Sequence, residues 1–194
     1  MQTQTATADD LATILATALA EQTALLQRIA LKLEQTQLGL HDGGAMTIIY
    51  ANRQHGSLWY RLGSDRNPVG IEETALTGYC TKIEFPRVER RGKEVPKLQI
   101  TMQGDRPYVV ECGYNRNFAK GFLSAIALMS PFQLRQPITI CPSPGDDDKV
   151  LFCRVYQNGQ AVYASYGEDT DWRLTAKAAI DAVTQAWGTS GSTE

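Results

Sequence analysis

The chain has 194 residues, a hydrophobic share of 43%, a charged share of 21% and a formal net charge of −2, values that fit one soluble domain with appendages. No run approaches the ~18 apolar residues of a membrane helix, and no basic stretch followed by an apolar one marks a secretory leader. A membrane-spanning helix is therefore excluded, and the cytosol is the default compartment.

Residues 8–38 are predicted as one long helix. Leu15, Leu19, Gln22, Leu26, Ile29 and Leu33 follow alternating four- and three-residue steps, a heptad seam with one polar position. Such a stripe is buried either on the protein's own body or against a second copy. The break His41-Asp42-Gly43-Gly44 reads as a hinge and favours the second copy, so a homo-oligomer assembled through residues 8–38 is expected. Residues 1–44 then form a helix-and-hinge segment, residues 45–187 a β domain with a closing helix, and residues 188–194 a disordered Gly/Ser/Thr tail.

From Met46 the texture becomes that of strands, at 46–51 and 57–62, followed by a loop holding Pro68 and Gly70. Residues 76–85 read as a strand with Gly78 marking a bend. Residues 86–96 read as a charged connection, 97–102 as an alternating strand, and 107–112 as the next strand after the Gly104-Asp105 turn. Asn117 is expected to cap a helix over 118–129, ended by Ser130-Pro131. Strands at 138–141, 150–157 and 160–165 follow, the last two joined by Asn158-Gly159, a strong hairpin signal. Asp171 caps a final helix with Trp172, Ala176, Ile180, Val183 and Trp187 on one face.

Charge is uneven along this order. Residues 76–139 hold ten Lys/Arg and five Asp/Glu, a net of +5, while residues 1–75 sum to −3 and residues 140–194 to −4. Cations track a phosphate backbone and aromatic faces stack on bases at roughly 1–3 kcal/mol each, so a basic, aromatic-bearing β segment suits single-stranded nucleic acid. The phosphate candidates are Arg87, Arg90, Arg91 and Lys93 on the connection, with Lys97 on the polar face of the next strand and Lys82 on the preceding one. The stacking candidates are Tyr79, Phe85, Tyr108 and Tyr114, of which Tyr108 equally suits the core. The competing reading is a sheet with solvated lysines on one face and core aromatics on the other.

Three strands, a helix and two or three more strands is the order of an OB-fold, a five-stranded barrel with the helix between strands three and four. Leu76-Thr77-Gly78-Tyr79, Ile83-Glu84-Phe85, Gly92-Lys93 and Leu98-Gln99-Ile100 resemble small bacterial and phage single-stranded-DNA-binding proteins over residues 75–165. That resemblance implies an OB-like barrel, α+β overall, that binds single-stranded DNA or RNA with little sequence preference. A second resemblance, to Whirly and PC4-like proteins with four strands before a helix, implies the same ligand class. The tail 188–194 lacks the acidic, apolar-tipped end common in the bacterial proteins.

Catalysis is not expected. No GxxxxGK[ST], HExxH or GxSxG occurs, and the two histidines leave little scope for general-base work. A magnesium nuclease built on Glu84, Glu89 or Asp105 has no spacing to support it, and a non-enzymatic interaction module is the main rival. Cys80, Cys112, Cys141 and Cys153 sit in apolar strands without metal-ligand spacing, as buried free thiols do. No cofactor is expected, and Asp146-Asp147-Asp148 reads as a surface turn rather than a metal site.

Overall fold

In the computed structural model, which describes residues 16–23, 26, 46–90 and 92–188, the alternating segments become ten strands. The chain divides into two compact units, residues 1–44 and 45–194. In the first, residues 16–23 (α1) and residue 26 are helical, and the rest of the expected 8–38 helix and the Gly43-Gly44 hinge lie outside the described residues. Leu19 and Leu26, one heptad apart, are 67% and 66% exposed.

The second unit holds β1 (Thr47–Tyr50), β2 (Tyr60–Leu62), β3 (Pro68–Gly70), β4 (Leu76–Glu84), β5 (Arg87–Arg90), β6 (Lys93–Gln103) and β7 (Pro107–Gly113). The helices α2 (Asn117–Ala127) and α3 (Pro131–Leu134) follow, then β8 (Ile138–Pro144), β9 (Leu151–Gln157), β10 (Gln160–Val162) and α4 (Trp172–Trp187). Local chemistry sets the joints. Asn158 and Gly159 both take positive φ, 51° and 77°, as a two-residue hairpin turn requires. Ser130 and Gln133 form a capping box that starts α3, and the Asp171 carboxylate accepts from the Arg173 and Leu174 amides at the start of α4. At α2 the capping position is Arg116, without a side-chain cap, and Asn117 is the first helical residue.

The strands form one mixed sheet in the order β10-β9-β8-β4-β6-β7-β1-β2-β3, with β5 attached to β6 alone. This corrects the five-stranded OB-like barrel expected from the sequence. The helix does lie between the third and fourth strands of that expectation, but the sheet is open. A closed barrel would need β7 to meet β9, and β7 spends its second edge on β1, in parallel, with Thr47 opposite Tyr108 and Tyr50 opposite Glu111. The overall α+β character stands.

The sheet turns at β4. Leu76, Thr77 and Gly78 pair with β8, whereas Tyr79 to Glu84 pair with β6. Gly78 is required there, because a Cβ at that position would come within 2.7 Å of the Gln103 carbonyl oxygen. One face of the sheet carries the core. Leu98, Ile100, Met102 and Val110 are fully buried together with Phe118, Phe122 and Ile126 of α2. Burial of each such side chain favours folding by about 1.5–3 kcal/mol. Helix α4 packs on α2 and buries the small side chains Ala176, Ala179, Val183 and Ala186, which leaves Trp172 and Trp187 at its ends rather than on the buried stripe. Across the open side, Arg53 donates to the carbonyls of Gly145, Asp147 and Val150 and pairs with Asp148 at 3.1 Å, tying the loop after β1 to the turn between β8 and β9.

Candidate nucleic-acid interface

The charged connection 86–96 is a β-ribbon. Arg87 faces Pro96, Val88 faces Val95, Glu89 faces Glu94 and Arg90 faces Lys93, so two residues make the turn. Gly92 takes φ +73° in open space, the conformation such a turn needs. The ribbon is rooted where Lys97 N donates to the Pro86 carbonyl at 2.9 Å and where the Phe85 and Tyr114 rings meet edge-on at 5.3 Å. Arg91 and the Arg90 side chain lie outside the described residues. Lys93 is exposed and has no ion pair among the described residues, while Arg87 reaches Glu94 at 3.1 Å across the strands.

Elsewhere most of the central cations are engaged, Arg116 being exposed without an ion pair among the described residues. Lys82 pairs with Glu84 at 2.8 Å and Arg106 with Asp105 at 3.2 Å. Lys97 pairs with Glu111 at 3.6 Å, both side chains nearly buried, and Gln99 donates to the other Glu111 oxygen at 3.0 Å. The register sets Tyr50 beside Glu111, and Tyr50 stacks on Tyr60 at 5.1 Å. Arg135 is used to cap α4 through the Ala186 carbonyl, and Lys120 sits 5.0 Å above the Trp172 ring.

The stacking candidates fall into separate places. Tyr79, 40% exposed, meets Trp187 edge-on at 5.9 Å where β4 parts from β8, and Trp187 Nε1 donates to the Cys80 carbonyl at 2.7 Å. The Tyr108 hydroxyl donates to Asp105 at 2.6 Å. Burial and that bond push the phenol up, and the same bond holds the Asp105 carboxyl below its usual range. The structure therefore sets Phe85 and Tyr114 at the root of the ribbon that carries Arg87 and Lys93, and engages Tyr79, Lys82 and Tyr108 with Trp187, Glu84 and Asp105. Sequence reasoning missed Glu111 and Gln99 as the partners of Lys97. Alternation shows which face a strand residue takes, not who stands beside it.

Among the described residues no group of three His, Cys, Asp or Glu is placed to hold a metal, and no helix is long and apolar enough to cross a membrane. The cavity beside Trp59, about 490 Å³, is lined by Glu72 and Glu73 as well as Arg53, a mixed lining that does not suit a polyanion. All four cysteines are free, with Cys80, Cys112 and Cys153 buried. No protein-family model, no curated protein and no solved structure matches the chain.

Proposed function

We propose that the protein binds single-stranded nucleic acid, DNA or RNA, with little sequence preference, through the β5–β6 ribbon. One observation carries this reading. Four cations (Arg87, Arg90, Arg91 and Lys93) against two acids (Glu89 and Glu94) belong to a two-stranded arm that, among the described residues, pairs only within itself. The register puts basic residues at both positions of its last rung. Phe85 and Tyr114 stand half-buried at the root of the arm. Oligomerisation through residues 8–38 belongs to the same proposal, since linked copies raise avidity on long strands.

The test is fluorescence polarisation with a thirty-nucleotide oligo(dT) at several salt concentrations. Affinity falls as salt rises, and replacing Arg90, Arg91 and Lys93 with Ala reduces the logarithmic slope by about 0.7 per lost contact. Absence of binding by the parent at low salt refutes the function. An unchanged slope in the triple variant removes the ribbon from it.

A further inference from the structure

Strand β9 alternates fully. Leu151, Cys153 and Val155 enter the core, whereas Phe152, Arg154 and Tyr156 face outward. Their partners on β8 are small, Ser143, Cys141 and Thr139, so nothing on the neighbouring strand fills the space above them. With the segment that follows β10 they line a groove of about 330 Å³, whose walls include Tyr163 and Tyr166. Tyr163 is 77% exposed and Phe152 39%. Arg154 is exposed and has no ion pair or hydrogen bond among the described residues. Beyond Tyr166 lies Trp172, edge-on at 5.2 Å and carrying the Lys120 ammonium over its face.

The chemistry of this groove selects its occupant. An extended peptide would need the free edge of β9, since β10 pairs only with Val155–Gln157. Helix α2 closes that edge: a Cβ on Gly121 would lie 2.7 Å from the Cys153 carbonyl oxygen and 3.5 Å from its amide nitrogen. What remains open is flat ring surface, with a guanidinium between two rings at i, i+2 and i+4 spacing, about 6.6 Å per step along the strand. Rings stack on bases and a guanidinium forks onto phosphate. The acidic turn 146–148 precedes β9 and repels phosphate, so the phosphate contact falls at Arg154 rather than nearer the turn.

We propose that this groove binds bases of a single-stranded nucleic acid, with Tyr163, Phe152 and Tyr156 as stacking faces and Arg154 on the backbone. The inference rests on the function proposed above and adds a second contact, far from the first. Strand β8 joins β4 beside the Gln103 end of β6, whereas the ribbon leaves β6 at Lys97. Six residue steps along β6 separate that root from Gln103, about 20 Å.

The experiment uses the full chain, an oligo(dT) probe and the same probe carrying 5-iodouracil for photocrosslinking, with adducts mapped by mass spectrometry. The parent yields adducts on Tyr163, Phe152 or Tyr156. The double variant Arg154→Gln, Tyr163→Ala keeps its thermal transition, because both side chains are exposed, and loses affinity by about tenfold. If the parent binds while the double variant binds equally and adducts map only to the ribbon, the groove is overturned and the function stands. A parent that binds no oligonucleotide overturns both.

Discussion

Lys97 and Glu111 lie 3.6 Å apart with side chains 12% and 11% exposed, so removing either charge leaves the other unpaired and poorly hydrated. Lys97→Met should cost about 3 kcal/mol in urea unfolding, and adding Glu111→Leu should return most of that loss. A double variant whose losses simply add would show that the pair is not coupled. The buried thiols make a second prediction. Burial pushes Cys80 and Cys112 up to about 12 from an ordinary value of 9.0, and Cys153 in the same direction. Between those values the unfolded chain has released protons that the folded chain keeps. The stability they contribute is full below pH 9 and falls as pH rises, by about 1.4 kcal/mol per pH unit for each thiol. Urea midpoints at pH 8 and pH 10.5 measure this, and Cys80→Ala should show the shallower decline even though it starts less stable. Equal declines in parent and variant would contradict the burial.

Among the elements, the ribbon is the most separable. Beyond Pro96, β6 continues between β4 and β7, so β5 contributes only the four rungs from Arg87–Pro96 to Arg90–Lys93. Replacing residues 88–95 with Asn-Gly should shift the thermal midpoint by only a few degrees, followed by circular dichroism, while single-strand binding is lost. A variant that unfolds would show that the arm belongs to the core. This element was also the least legible in the sequence. Arg, Glu and Lys are poor strand formers, so Arg87–Arg90 reads as loop and becomes strand only because it continues the pairing of β6. Pro68 and Gly70 hid β3 for the same reason. Signals that are chemical and local came through: the Asn158-Gly159 turn, the Asp171 cap, the alternation of β6 and the bend at Gly78. Within the candidate site, the ribbon cations were legible as charge. The pairing of Lys97 was not, because it depends on the strand register that brings Glu111 of β7 beside it.

For the whole molecule, the exposed Leu19 and Leu26 set the expected assembly. The full chain should scatter light as an oligomer at tens of micromolar, and deletion of residues 1–40 should give a folded monomer. That monomer should bind long strands far more weakly than the parent and short strands about equally, because avidity needs a ligand that reaches several sites. A full-length monomer would refute the seam. The parallel pairing of β1 with β7 also governs how the molecule comes into being. Two parallel strands cannot be joined by a tight turn, so Thr47 finds Tyr108 only after everything between them has been made and folded aside. A nascent chain therefore carries β1, with Ile49 bare, through synthesis of the β4–β7 meander. Non-local closures of this kind are slow, and a waiting apolar strand is what chaperones capture. The hazard of misassembly belongs to an interval in the life of the chain, and it ends when β1 docks.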